Sequence, residues 1–312
     1  MTLIDPTAHR APGQALRDQM ARGCVAIPGA YNGLVGRAVA QAGFDAAYIS
    51  GAAVSAAAGV PDVGILTLEH FARVVEEVAR SSGLPVLADA DTGFGEEEMV
   101  VRTVHEYARA GGAGFHIEDQ VFPKRCGHLE GKRLVGVDHM QEKVSAAAGA
   151  RDALGGTFVV CARTDARGVE GMDEAIARAR AYAEAGADMI FPEGLTSEAE
   201  FETVARALRD APGKAPGGGP YLLANMTEFG KTPIIPLARF AQLGYHAVIF
   251  PVSTLRITMH AVEQALAALK RDGDVGAMLD RMQTRADLYS LLGYTPGQAW
   301  RFPSSTRAGE PR

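Results

Sequence analysis

Four times along the chain the end of a helix, a glycine and an apolar run follow in one cadence: AQAGFDAAYIS, ARAGGAGFHIED, AEAGADMIFPE and AQLGYHAVIFP. The glycines, Gly43, Gly111, Gly186 and Gly244, are 68, 75 and 58 residues apart. Each interval holds about two strand-helix units, so these glycines mark the connections entering strands two, four, six and eight. Glycine suits that place because it ends a helix in the left-handed conformation without steric cost. A chain punctuated in this way has little choice but to alternate strand and helix, and alternation means a parallel sheet.

The strand count agrees. Short β-branched or apolar runs occur at Cys24 to Ile27, Ala46 to Ile49, Pro85 to Ala88, Gly114 to Ile117, Phe158 to Ala162, Met189 to Phe191, Tyr221 to Ala224 and Ala247 to Phe250. Stretches with helical spacing separate most of them, such as Met99, Val100, Val104, Tyr107 and Ala108. Eight units in roughly 250 residues is the arithmetic of a (β/α)8 TIM-type barrel, with an open doubly wound sheet as the alternative. The expected organisation is one barrel domain over 1–295 with a C-terminal helical extension, then a polar, disordered tail over 296–312. Two helical patterns, Arg256 to Lys270 and Val275 to Leu292, follow the last strand. With nothing left to cover on its own barrel, such an extension has another subunit as its natural partner.

Composition narrows the function classes. The 312 residues carry 31 Lys+Arg against 37 Asp+Glu, a formal charge of −6, which excludes a polybasic nucleic-acid binder. The charge-free stretch from Ala46 to Pro61 is too short and too rich in Ala, Gly and Ser to span a bilayer of roughly 30 Å, so no membrane segment is expected. Three scattered cysteines, Cys24, Cys126 and Cys161, make no disulfide framework and favour a reducing cytoplasm.

In a parallel barrel the chemistry collects at the carboxyl ends of the strands. Reading the first polar residues after each run gives Tyr48 and Ser50-Gly51, Asp89 and Asp91, Glu118-Asp119, Arg163 and Asp165, Glu193, Asn225 and Thr227, and Ser253 and Arg256. Asp89 and Asp91 fall on one face of an extended segment, and with Glu118 one strand over they are hard oxygen donors suited to Mg²⁺. Lys124-Arg125-Cys126-Gly127-His128 sets two cations and a histidine around a thiol, an environment that stabilises thiolate and readies it for proton transfer. Arg163 and Arg256 offer planar forks for carboxylates. None of the six lysines ends a strand, which disfavours a Schiff-base aldolase. His116, in the middle of strand four, reads as a satisfied core histidine, and Cys161 as a small buried hydrophobe.

The ordered set YISG, PDVG, DADTGFG, HIEDQ, KRCGH, ARTDA, FPEG, LANMTEFG and MQTR resembles the isocitrate lyase and phosphoenolpyruvate mutase superfamily from about residue 20 to 295. KRCGH after HIEDQ is similar to its lyase branch, and most of all to the members that cleave 2-methylisocitrate. The resemblance implies a barrel whose eighth helix is exchanged within a homotetramer. It implies Mg²⁺, with Mn²⁺ as the alternative, at Asp89 and Asp91 and through water at Asp62 and Glu118. Substrate contacts would come from Ser50, Gly51, Ala52, Cys126, Gly127, Arg163, Glu193, Asn225, Met226, Thr227, Arg256 and Arg285. The implied catalytic groups are Cys126 as general acid, Tyr48 as base, Glu118 and His128, and Phe191 and Ile249 would flank the substrate methyl. The implied reaction is retro-aldol cleavage of a tricarboxylate to pyruvate and succinate, with isocitrate cleavage or oxaloacetate and phosphonate chemistry as alternatives. Two departures stand out: the family's SGGG reads Ser50-Gly51-Ala52-Ala53, and a Pro-Asn pair before Lys132 reads Glu130-Gly131.

Overall fold

The computed structural model describes residues 11–125, 127 and 131–300. Eight parallel strands run in chain order: β1 (Val25–Pro28), β2 (Ala47–Ile49), β3 (Val86–Asp89), β4 (Gly114–Glu118), β5 (Val159–Thr164), β6 (Met189–Pro192), β7 (Tyr221–Asn225) and β8 (Ala247–Phe250). They pair as β1-β8-β7-β6-β5-β4-β3-β2, and a parallel bridge between Gly29 and Tyr48 brings the two ends together into a barrel. All eight expected strands are present, shifted by a residue or two at their ends.

The helices are α1 (Pro12–Arg22), α2 (Gly33–Gln41), α3 (Gly51–Ala57), α4 (Leu68–Ser82), α5 (Glu97–Arg109) and α6 (Val137–Ala153), followed by α7 (Met172–Glu184), α8 (Glu198–Ala207), α9 (Leu237–Gln242), α10 (Ser253–Asp272) and α11 (Arg285–Leu292). Gly43, Gly111, Gly186 and Gly244 all have φ between 84° and 107°, the left-handed geometry that the repeated cadence requires. Strand residues alternate between two cores. Ile27, Leu87, Cys161, Met189, Leu223 and Ile249 fill the barrel, while Ile49, Val86, Phe115, Ile117 and Val160 pack under the helices. Helix α1, which precedes the first strand, seals the amino end. Its Leu16 and Met20 join the interior cluster, and Arg17 donates to the carbonyls of Thr157 and Phe158 and pairs with Asp188 at 2.8 Å.

The C-terminal extension differs from expectation. Val275 to Leu292 is not one helix: a 3₁₀ segment covers Gly276–Arg281, Met282 is extended, and α11 starts afresh from a reciprocal capping box between Thr284 and Asp287. Two side chains that satisfy each other's backbone donors make a helix start, and a start cannot sit inside a continuous helix. Helix α10 buries only Ala268 and presents Ile257, Met259, Val262, Leu266 and Leu269 to solvent. Of the expected disordered tail, 301–312 lies outside the described residues; Trp300 is anchored, its indole donating to Leu292 while Arg37 covers its ring.

Candidate active site

The carboxyl ends of the strands enclose a cavity of about 240 Å³. Asp89 closes β3 and accepts the Gly51 amide at 2.9 Å and the Asp91 amide at 3.0 Å. The chain then turns: Asp91 takes a left-handed conformation (φ 47°), and Gly93 donates to Ala90 at 2.7 Å. The two aspartates therefore do not share the face of an extended segment, as their spacing suggests. A tight turn folds Asp91 back beside Asp89 instead, and a side chain at Gly51 would collide with both carboxylates.

The charge balance here is lopsided. Asp89, Asp91 and Glu118 are buried, and among the described residues they face Lys124, whose Nζ lies 2.9 Å from Asp91 and also binds Asp62, and Arg163, which Glu118 shares with Asp165. Burial pushes Asp91 up to about 6, with Asp89 and Asp62 adding to the rise against Lys124. Burial likewise holds the Glu118 carboxyl well above its ordinary range, and its Oε1 has no hydrogen-bond partner among the described residues. Such a set is incomplete without more positive charge. Hard oxygen donors, a buried orphaned carboxylate oxygen and an ammonium standing among them fit a divalent cation such as Mg²⁺. Among the described residues the oxygens of Asp89, Asp91 and Glu118 do not all come within 4.8 Å of one another, so a cation would have to draw them together.

Behind the acids lies a core histidine, as expected from its place in mid-strand. His116 is fully buried but faces the barrel interior, its Nε2 2.7 Å from the Tyr48 hydroxyl and 3.7 Å from Asp89. Burial lowers its pKa to about 4, so the ring is neutral, and Nδ1 has no partner among the described residues. The same burial raises the Tyr48 phenol well above its normal range. Residues two apart in a strand share a face, so His116 and Glu118 both turn toward the barrel interior.

The cation of the far wall is Arg163. Asp165 holds it through two bonds, Nε to Oδ2 at 2.9 Å and Nη2 to Oδ1 at 3.1 Å, and Glu118 approaches it at 3.3 Å. Burial opposes ionisation of Asp165, yet Arg163 and Lys132 overcome it and hold the carboxyl at about 2. Asp119 braces this pair from outside the barrel, accepting from the Asp165 amide, Thr164, Tyr182 and Arg178.

Most of the expected site residues do converge. Tyr48, Ser50, Ala52, Asp62, Asp89, Gly127, Arg163, Phe191, Glu193, Asn225, Thr227, Ile249 and Arg256 line the cavity, together with Lys124, which the sequence placed beside the thiol, and Glu228, Phe229 and Gly230, to which it gave no role of their own. Phe191 and Ile249 point inward, and Phe191 packs its edge on His116 and its face under Arg163. Gly51, Asp91 and Glu118 do not line the cavity: the Gly51 amide is taken by Asp89, and the two acids are buried behind its wall. Two expected contacts stand apart from the cavity of the single chain. Met226, between inward-facing Asn225 and Thr227, points into the helix layer, where its sulfur accepts the Ile235 amide. Arg285, the first residue of α11, is exposed and does not line the cavity. Cys126 and His128 lie outside the described residues; Lys124 and Gly127 to either side of Cys126 line the cavity.

Comparison with known proteins agrees with this arrangement. The phosphoenolpyruvate phosphomutase family model matches residues 16–270. A probable 2-methylisocitrate lyase 1 of Corynebacterium glutamicum is 52% identical over 268 residues, 86% of this chain and 84% of that protein. The 2-methylisocitrate lyase of Aeropyrum pernix is 48% identical over 91% of this chain and 88% of its own. Among solved structures, 2,3-dimethylmalate lyase superposes with a TM-score of 0.84 at 40% identity, covering 91% of this chain and 92% of that one. Phosphonopyruvate hydrolase, solved with oxalate and Mg²⁺, has a TM-score of 0.79 at 31% identity over 91% and 95% of the two chains. With its barrel, its ring of acids and most of its length matched, the chain belongs to the phosphoenolpyruvate mutase and isocitrate lyase superfamily.

Proposed function

We propose that this protein is a Mg²⁺-dependent lyase that cleaves 2-methylisocitrate to pyruvate and succinate. The single observation that carries the reading is the pairing of two opposed surfaces in one cavity: Asp89 and Asp62, with buried Asp91 and Glu118 behind the wall, on one side, and the Asp165-locked Arg163 on the β5 side. A 2-hydroxy acid needs the first surface for its hydroxyl and carboxylate. Its departing carboxylated fragment needs the second. The 2-methylisocitrate lyases among the relatives favour the tricarboxylate with a methyl on the hydroxyl-bearing carbon.

Asp89 and Asp91, with Glu118 and Asp62 around them, would hold the cation, and Mn²⁺ could take the same donors. A cation bound there would make the substrate hydroxyl more acidic. Tyr48 would take that proton while passing its own over 2.7 Å to the neutral His116. Loss of the proton lets the bond between C2 and C3 break, leaving pyruvate and an aci-carboxylate of succinate. Arg163 would spread the negative charge of that fragment, and because Asp165 fixes its fork, little reorganisation accompanies the step. Cys126 would then deliver a proton to the carbanion, with His128 beside it in sequence. Ser50, Asn225, Thr227 and Arg256 would bind the remaining carboxylates, and Phe191 with Ile249 would leave room for the methyl.

The apolar stripe of α10 supports assembly into a homotetramer in which that helix covers a neighbouring barrel, which would also give Arg285 a route to a site. No helix among the described residues is long and apolar enough to cross a membrane. The test is to follow pyruvate from 2-methylisocitrate in a lactate dehydrogenase-coupled assay with Mg²⁺, then with excess EDTA, then with Mg²⁺ restored. Turnover that is lost and recovered supports the proposal; turnover untouched by EDTA removes the metal from it, and no pyruvate removes the substrate.

A further inference from the structure

Phe229 stands at the mouth of the cavity with its backbone in the left-handed region (φ 60°) and 95% of its surface exposed. A bulky residue in that conformation is strained, and an exposed phenyl gains nothing from burial. What the ring meets is Arg256, whose guanidinium carbon lies 5.1 Å from its centroid. Arg256 Nη1 also donates to the Glu228 carbonyl at 2.6 Å, and Ser253, one turn earlier, donates to the Glu228 carboxylate. The 228–229 turn thus grips the start of α10 at three points and stations an otherwise solvent-exposed arginine over the cavity. Left free, such a side chain would have to be ordered each time a ligand bound. Stacked on an aromatic face, it is ordered beforehand.

We infer that Phe229 is a positioning residue that presets Arg256 for the third carboxylate of the substrate, and so sets the preference for a tricarboxylate over a dicarboxylate. The inference rests on the proposed substrate. Arg163 is locked deep in the cavity, whereas Arg256 is at its mouth, where the carboxylate furthest from the metal-binding acids would arrive. Substrate chemistry supplies the comparison: 2,3-dimethylmalate is 2-methylisocitrate with the side-arm carboxylate replaced by hydrogen. Hydroxyl, first carboxylate and cleaved bond are the same in both, so only the tricarboxylate should sense the stack.

The experiment measures kcat and KM of wild type, Phe229→Gly and Phe229→Tyr on 2-methylisocitrate, and on 2,3-dimethylmalate as substrate or competitive inhibitor. Glycine keeps the left-handed turn and removes the ring; tyrosine keeps the ring. Phe229→Gly should raise KM for 2-methylisocitrate about 3- to 30-fold with kcat near wild type, leave the 2,3-dimethylmalate constant within about 2-fold, and be rescued in Phe229→Tyr. Equal effects on both compounds, or no effect on the tricarboxylate, would overturn the inference while the proposed function stands. A wild-type enzyme that cleaves no 2-methylisocitrate would overturn the proposed function, and this inference with it.

Discussion

Gly127→Ala isolates the fit between the KRCGH segment and the wall of the cavity. A Cβ at Gly127 would lie 2.4 Å from Arg163 Nη2 and 2.5 Å from Glu193 Cγ. Ordinary contact between heavy atoms begins near roughly 3.5 Å, so one partner has to retreat by about 1 Å. The Arg163 fork cannot swing away without breaking its two charge-assisted bonds to Asp165, each worth roughly 1.5–3 kcal/mol. Glu193 is held at its carboxylate by the Gly194 amide and the Asn225 side chain, and the colliding atom is not its free end. The backbone at 127 therefore moves, and the neighbouring thiol moves with it. A displacement of that size costs on the order of 100-fold in kcat, whereas stability should hardly change because the residue belongs to a loop. Gly149, on the exposed face of α6 with nothing within 4 Å of its Cβ position, is the control: Gly149→Ala should keep full activity and add about 0.5–1 kcal/mol. Steady-state kinetics with a urea melt reads both. A Gly127→Ala enzyme within about 3-fold of wild type would refute the packing argument.

Three further outcomes follow from the geometry. Met226→Leu should leave kcat/KM within about 2-fold and cost under ~1.5 kcal/mol in a urea melt, since that side chain fills the helix layer; a large KM effect would return it to the substrate. Asp119→Ala strips four donors of their acceptor and should cost roughly 3 kcal/mol of stability and lower kcat through Arg163, whereas an unchanged melt would mean the brace is idle. Asp91 links metal and pH. With its pKa raised from 3.8 to about 6, the stability it lends is complete below the unfolded value and lost as pH rises through 6, a penalty of roughly 3 kcal/mol at neutral pH. Mg²⁺ would relieve that penalty, so its stabilisation in a thermal melt should be large at pH 7.5 and shrink at pH 5; a shift independent of pH would remove Asp91 from the cation site.

The architecture was legible because it repeats. Helix end, left-handed glycine and strand recur often enough to fix eight units, and the strand ends then point to Asp89, Glu118, Arg163 and Glu193 without further information. What escaped was set by contacts between distant segments. His116 is core, as its place in mid-strand suggests, but its partner Tyr48, 68 residues earlier, is not visible from the chain. The fold-back of Asp91 is decided by the side chain of Asp89 accepting its amide, which spacing alone does not disclose. The Lys124 ammonium reads as a neighbour of the thiol in sequence, yet it reaches the carboxylates of Asp62 and Asp91. Met226 was carried with its two neighbours, although strand alternation alone would have turned it outward. Arg285 belongs to an extension whose second half folds back on α2, where Arg37 donates to the Leu291 carbonyl, a long-range contact that the local pattern does not disclose.

The most direct test of the account is to compare kcat/KM for 2-methylisocitrate and isocitrate, with products identified by mass spectrometry. A methyl in a fitted pocket is worth about 1–3 kcal/mol, or roughly 10- to 200-fold. The cavity wall formed by Phe191 and Ile249 should therefore give pyruvate and succinate in equal amounts from the methylated substrate, at a kcat/KM at least about 10-fold above that for glyoxylate release from isocitrate. Ile249→Phe and Phe191→Trp should narrow that ratio. Faster glyoxylate release from isocitrate by the wild-type enzyme would contradict the assignment, and cleavage of neither compound would contradict the lyase reading altogether.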